Sequence, residues 1–273
     1  MPSDSGEPAR DERISYRISD DPDQLQRERQ RLGFLDQYRD PSTHRALERT
    51  GIGPGWRCLE VGAGSGSITQ WLCQRVGPRG YVLAVDIDTR FHVEVAAHAE
   101  VRQLDVTRAS LGEAEYDLVH ARALLQHLHQ RTQVLDAMIA ALEPGGWLVV
   151  EDSDFTSYLQ QTLPEPFGTF SRATLEHARD TSGWDGACGR RLLHWFQERG
   201  LVDCEASGSV STMRGGTPSA EWYVSGLDRA RQRFIESGPL TAELIDRAIA
   251  QAREPDFAIL SPIAISVIGR KPA

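Results

Sequence analysis

Apolar residues first follow a helical period and then a strand period along this chain. "DDPDQLQRERQRLGFLDQY" (20–38) places Leu25, Leu32 and Leu35 on one side of a helix. Aspartates near residue 21 cap it and Pro22 suits its first turn. "DPSTHRALERTGI" reads as a second helix, ending near Gly51. Short β-rich runs follow: "RCLEV" (57–61), "YVLAVD" (81–86), "EVRQLD" (100–105), "YDLVHA" (116–121) and "WLVVED" (147–152). Between the first two, "SITQWLCQRV" gathers Ile68, Trp71, Leu72 and Val76 on one helical face, stopped by Gly77-Pro78. "RTQVLDAMIAAL" is a further helix, ended by Pro144-Gly145-Gly146, while the link between the second and third strands is poorly helical. Val- and Leu-rich strands alternating with helices predict a doubly wound α/β fold around a parallel sheet.

Beyond Asp152 the pattern loosens. "FTSYLQQTLPEPFGTF" reads as a loop or short helices, and "GRRLLHWFQERGL" as a helix with Gly200 at its end. "VDCEASGSVS" is a strand; Thr217 and Pro218 open another helix; "TAELIDRAIAQAR" is the next, and "PIAISVIGRKP" a final strand. No repeat or low-complexity linker divides the chain. The expectation is a tail and helices over residues 1–50 on the lid side, and one domain over 51–273 whose elements within 153–260 form a substrate cap.

Composition narrows the chemistry. A chain of 273 residues buries a core without disulfides or metal. The net charge of −9, with no Lys/Arg run, argues against nucleic acid as partner. No apolar run approaches the ~20 residues that span a bilayer, so no membrane partner is expected. The N-terminus has no apolar signal core, and cytoplasm is the expected compartment. Lys271 is the only lysine, which removes Schiff-base chemistry and a P-loop lysine. Cys58, Cys73, Cys188 and Cys204 form no CxxC, and His127-Leu-His129 is too close for a helical zinc pair. No metal is expected.

"LEVGAGSGSIT" (59–69) then carries the argument, because it follows a strand and precedes a helix, where open α/β sheets bind ligands. Its spacing is Glu60-x-Gly62-x-Gly64-x-Gly66. A dinucleotide fingerprint wants a third glycine where Ser67 stands, and a P-loop wants the missing lysine. An acidic residue two before the first glycine repels phosphate and suits a cationic ligand. Glu60 either faces that ligand or accepts amides of the loop.

This E-x-G-x-G-x-G loop, with Asp86 ending the next strand, resembles the class I S-adenosylmethionine-dependent methyltransferases. "VLAVDID", "LDV" (104–106), "YDLVHARALLQHL" and "LEPGGWLVVED" resemble that family's later blocks, in its order, over residues 57–152. The blocks are most similar to small-molecule methyltransferases related to the quinone-biosynthesis C-methyltransferases, many of whose relatives act in bacterial secondary metabolism. The resemblance implies a Rossmann-like seven-stranded mixed sheet flanked by helices, its last strand antiparallel. It implies S-adenosylmethionine as cofactor, S-adenosylhomocysteine as product, and a cofactor site of Glu60, Gly62, Ala63, Gly64, Gly66, Asp86, Ile87, Asp105, Val106, His120 and Ala121. Asp86 would take both ribose hydroxyls, and Asp105 with the next amide would read adenine.

Methyl transfer needs a general base only where the nucleophile must lose a proton. The candidates are His127, His120, Glu151 and Asp152, just beyond the fourth and fifth strands. His127 is a base or a packing histidine; His120 lines the pocket or acts in catalysis; Asp152 orients substrate or ends a strand. Tyr16, Trp184 and Trp222 are the lid and substrate candidates among an aromatic set that includes Phe155, Tyr158, Phe167, Phe170, Trp195 and Tyr223. Aromatic lining favours a small apolar or aromatic acceptor. Carbon, oxygen and nitrogen acceptors stay open, as do a non-methylating reaction such as cyclisation and a non-catalytic regulatory binder. The oligomeric state is open as well, since the amphipathic first helix suits a homodimer as readily as its own chain.

Overall fold

The computed structural model describes residues 20–229, 231–237 and 240–273. Its first half runs α1 (Pro22–Glu48), β1 (Arg57–Val61), α2 (Ser67–Val76), β2 (Tyr81–Asp86), β3 (Ala99–Gln103), β4 (Tyr116–Arg122), α3 (Arg131–Ala141) and β5 (Leu142–Asp154). The second half is α4 (Thr156–Leu159), α5 (Phe167–Ser182), α6 (Cys188–Glu198), β6 (Val202–Ser209), β7 (Thr212–Arg214), α7 (Pro218–Asp228), α8 (Arg231–Ser237), α9 (Ala242–Arg253), β8 (Ala258–Leu260) and β9 (Ile263–Arg270).

One seven-stranded sheet has the order β3-β2-β1-β4-β5-β9-β6, parallel from β1 to β5. β9 runs antiparallel to both β5 and β6. The order reverses between β1 and β4, and the crevice at that reversal lies outside the carboxyl ends of the strands. Period-two alternation then supplies two cores. Leu59, Val119, Leu148 and Val267 face α3 and α6, where Met138, Leu192 and Phe196 cover them. Cys58, Leu118, Val149 and Ile268 face Ala46 and Leu47 of α1 and Leu72 of α2. A third core joins α4, α5, α7, α8, α9 and the small β7–β8 sheet around Tyr158, Phe167, Phe170, Tyr223 and Ile245.

Three local readings are corrected. The two N-terminal helices are one helix of 27 residues that passes through Pro41. Proline removes one backbone bond, yet Asp36 and Asp40 on one side and Thr43 on the other all bond the sheet edge, holding the helix together across the gap. Strand five begins at Leu142 rather than Trp147, because Pro144-Gly145-Gly146 sits where the β4–β5 register shifts. Helix α5 was hidden because Ser171 and Thr174 share its buried face with Phe167, Phe170 and Leu175.

Among the described residues no helix is long and apolar enough to cross a membrane.

Candidate cofactor and acceptor site

The turn after β1 requires glycine. Gly62, Gly64 and Gly66 take φ of 77°, 56° and 84°, in the left-handed region that L side chains avoid. At Gly66 a Cβ would stand 2.5 Å from the His92 ring. The amides of Gly62 and Ala63 both donate to the Val85 carbonyl, at 2.8 and 3.1 Å, pinning the turn to the end of β2. There Asp86 receives the Gly64 amide on Oδ2 at 2.8 Å and the Asp88 amide on Oδ1 at 2.9 Å. Burial pushes the Asp86 carboxyl up, and those amides pull it back. Ile87 lies in the same turn, its carbonyl held by Gln103 Nε2 at 2.9 Å. Leu104 donates to the Asp86 carbonyl at 2.8 Å, which brings the end of β3 beside this carboxylate. Asp105, however, uses Oδ1 for the amide and hydroxyl of Thr107, and Val106 packs at the edge of the core.

Behind the loop a polar row crosses the sheet on the face toward α1. Glu60, two residues after Cys58, shares that face; so do His120, after Leu118, and Glu151, after Val149. His120 Nδ1 lies 2.7 Å from Glu60 Oε2, and Nε2 lies 3.6 Å from Glu151 Oε2. Thr43 Oγ1 of α1 donates to the same Glu151 oxygen at 2.5 Å. Burial lowers His120, but the two carboxylates outweigh it and raise the imidazole to about 9. Burial likewise raises Glu151, while His120, Arg39 and Thr43 bring it down to about 2. His120 is fully buried, so its expected place at the pocket wall or in catalysis is corrected: it is a cation sealed between two anions. Glu60 is spent on the same pair. Ala121 points to the opposite core, leaving only its backbone near the crevice.

Helix α1 covers this row and fastens to the loop. Ser65 Oγ donates to Asp36 at 2.7 Å and Ser67 Oγ to Asp40 at 3.2 Å. Arg122, the last residue of β4, bonds Asp40 at 2.7 Å, Thr43 at 3.1 Å and Asp36 at 3.3 Å. Asp36 is raised by burial, an effect opposed by Ser65 and Arg122. The sequence reading missed this cluster. Its signal was available, since Glu28, Arg39 and Thr43 occupy the same helical phase as Leu32, Leu35 and Leu47 and are buried with them.

The remaining candidates separate. His127 stands in the 3-10 turn Leu125–His127 after β4, with Gln126 Nε2 3.2 Å from its Nε2. Burial lowers it to about 3, and Arg229, Arg31 and Arg131 push the same way. Asp152 faces away from α1 and lies under the start of α6, where Cys188 Sγ is 3.7 Å from Oδ2. Burial raises it to about 7, and the catalytic reading is corrected, because its side chain is 1% exposed. Phe155, Tyr158, Phe167, Phe170 and Tyr223 form the core of the cap rather than a lining. Trp184, edge-on to Phe155 at 4.9 Å, and Trp222, 5.9 Å from Tyr38, are only partly covered. Tyr16 lies outside the described residues. Among these, no three His, Cys, Asp or Glu side chains group as a metal site.

A family model described as a methyltransferase domain matches residues 18–205, more than half of the sequence. The chain belongs to this methyltransferase family. A curated relative of Ectopseudomonas mendocina, the ubiquinone/menaquinone biosynthesis C-methyltransferase UbiE, is 27% identical over 46% of this chain and 52% of its own. Methyltransferase str2 of Strobilurus tenacellus is 32% identical over 54% of this chain and 53% of its own. An uncharacterised 37.1 kDa protein in a transposon of Streptomyces fradiae is 27% identical over 77% of this chain and 63% of its own. The matched part therefore spans between about half and two-thirds of these relatives' lengths. Solved structures share the fold. The YcgJ protein of Bacillus subtilis has a TM-score of 0.54 at 16% identity, covering 84% of this chain and 99% of its own. The phosphoethanolamine N-methyltransferase 2 of Haemonchus contortus, solved with phosphomonomethylethanolamine and S-adenosylhomocysteine, has 0.53 at 15%, covering 88% and 59%. The expected Rossmann-like sheet with an antiparallel last strand is the one observed.

Proposed function

We propose that this protein transfers a methyl group from S-adenosylmethionine to a small metabolite. The observation that carries the reading is the loop of three left-handed glycines closed onto Asp86, in a methyltransferase-family chain. The residues fit the cofactor's chemistry. Asp86 keeps lone pairs for two ribose hydroxyls, a charge-assisted grip. The start of α2, whose N-cap Gly66 supplies no side-chain cap, suits an α-carboxylate. Asp36 and Asp40 make the loop's surroundings acidic, which favours a cation and disfavours pyrophosphate. When bound, S-adenosylmethionine supplies an activated methyl on a sulfonium.

The chain's own residues position and exclude water. Residues 1–50, helix α1 among them, make up the lid and substrate side; residues 51–273 bind the cofactor through 57–152, and elements within 153–260 cap the acceptor. Helices α7, α8 and α9 lie beyond residue 205, where the family match ends, so acceptor choice is assigned to them. His127 stays a neutral imidazole at physiological pH and orients rather than removes a proton. A small acceptor, apolar or aromatic, suits the partly covered rings of Trp184 and Trp222.

Calorimetric titration of S-adenosylmethionine, S-adenosylhomocysteine and NADH into wild type and Asp86→Ala tests the reading. The first two should bind wild type, NADH should not, and Asp86→Ala should lose about 2 kcal/mol or more, the worth of hydrogen bonds to a charged group. An acceptor screen read by mass should then show gain of one methylene. Binding of NADH instead, or product isomerisation with no mass gain, would replace the proposal.

A further inference from the structure

Two arginines stand at the carboxyl edge of the sheet beneath or beside α1, and they differ in one respect. Arg122 is clasped by Asp36, Asp40 and Thr43. Arg39, one helical turn along α1 from Asp36, is 6% exposed, and its guanidinium has no hydrogen bond or ion pair among the described residues. Its Nε is fully buried without a partner. Glu151 attracts it without bonding it: Oε2 is engaged by Thr43 and faces His120, Oε1 is likewise buried without a hydrogen bond, and Asp152 points to the other side of the sheet toward Cys188. Arg39 lies instead over the Tyr38 ring, 6.0 Å from its centroid.

Tyr38 links it to the cap. Its ring is 5.9 Å from Trp222, and its hydroxyl shares a hydrogen bond of 3.2 Å with Ser211. The indole Nε1 of Trp222 is also buried without a partner. Two orphaned groups thus flank one tyrosine between α1 and α7, and both are donors only. A buried guanidinium nitrogen left without an acceptor is costly, and its occurrence beside a second unpaired donor points to a ligand that brings acceptors. The place matters as well. The glycine loop and Asp86 lie over β1 and β2, whereas Arg39 lies toward Glu151 of β5 and, through Tyr38, toward the cap.

We infer that Arg39 anchors an anionic oxygen of the acceptor, a carboxylate or an ionised phenol or enol, with Trp222 Nε1 as a second donor. This rests on the methyltransferase reading and names the acceptor's class within it. A planar guanidinium holds a carboxylate through two parallel hydrogen bonds and holds a phenolate through one. In the second case it also favours ionisation of the nucleophile, so that no strong base is required of His127. Burial beside the cap would make the site discriminate between an acid and its neutral amide.

The test uses the full-length protein, with and without saturating S-adenosylhomocysteine, and three probes: 2-naphthoate, 2-naphthamide and 4-nitrophenol. Calorimetry should show wild type binding the naphthoate at least about tenfold more tightly than the amide. Absorbance should show bound 4-nitrophenol ionising at lower pH than free. Arg39→Gln should abolish both effects and Arg39→Lys should restore part of them, with circular dichroism unchanged and S-adenosylhomocysteine affinity within about twofold of wild type. Equal binding of acid and amide, or no naphthoate binding, overturns the inference. So does an Arg39→Gln variant that keeps the preference. Loss of S-adenosylhomocysteine affinity in Arg39→Gln, with naphthoate unaffected, would assign Arg39 to the cofactor's own carboxylate and also overturn it. Failure of wild type to bind S-adenosylhomocysteine is a separate result that strikes the methyltransferase reading itself.

Discussion

His120 Nδ1 stands 2.7 Å from Glu60 Oε2, a contact between β4 and β1 made with the imidazole wholly out of solvent. The other nitrogen faces Glu151 at 3.6 Å, so the imidazolium turns one N–H toward each carboxylate. Against burial, which lowers it, the pair holds the imidazole at about 9, above the ordinary value near 6.5. The folded state therefore binds this proton more tightly than the unfolded chain. The stabilisation is complete below about pH 6.5 and is lost as pH rises through about 9. Denaturant midpoints of wild type should fall across that window. His120→Gln, less stable at the outset, should show a much shallower fall. A variant with the wild-type slope would place the titration on another group.

Arg122 holds α1 against the sheet edge. Arg122→Met leaves Asp36 and Asp40 facing each other, each with a side chain 19% exposed. The expected cost is roughly 2 kcal/mol, below the several kcal/mol of a fully buried broken pair because both carboxylates keep some water. Without the cation Asp36, already raised by burial, takes up a proton more readily. The deficit should thus shrink at mildly acidic pH. Urea unfolding of wild type and variant at neutral and acidic pH measures it, and a deficit that grows on acidification would contradict the clasp.

What the sequence made legible follows from range. The strands through β5 and the glycine turn announce themselves within ten residues, by period two and by glycines that no other residue replaces at φ near 80°. Asp86 was legible because a strand's end is local. The roles of Thr43 and Arg122 were not, because their partners come from elements far along the chain. On α1 the buried face turns polar between Leu35 and Ala46, which marks Arg39 and Thr43 as covered but not what lies opposite them. Pro41 misled for the same reason: the local rule breaks a helix, and ion pairs to Arg122 hold it. β7 and β8 are three residues each, too short for any period to register.

Asp152 offers a test of its structural assignment. Burial raises its carboxyl to about 7 from an ordinary value near 3.9, so the folded chain keeps a proton that the unfolded chain releases. Wild type should lose stability as pH climbs between those values and level off above them. Asp152→Asn removes the titration. Relative to wild type it should gain with pH, by roughly 4 kcal/mol at most. The measurement is the difference in unfolding free energy at about pH 4.5 and about pH 8. A variant whose relative stability falls with pH would instead show an anion that the fold needs.

His127 tests whether the reaction needs a base at all. Burial and three arginines hold its imidazole at about 3, so it is neutral at physiological pH yet a weak proton acceptor. Drawing a proton from an acceptor several pK units higher costs about 1.4 kcal/mol for each unit, which makes His127 ill suited to that step. Once an acceptor is in hand, kcat/KM should show no inflection from this residue between about pH 5 and about pH 8. His127→Asn keeps a hydrogen-bonding side chain and should retain activity within about tenfold, with KM carrying more of the change than kcat. An acidic limb near neutrality that disappears in His127→Asn would mean that acceptor binding raises the imidazole into working range. Proton removal would then return to His127, and Arg39 would be left with positioning alone.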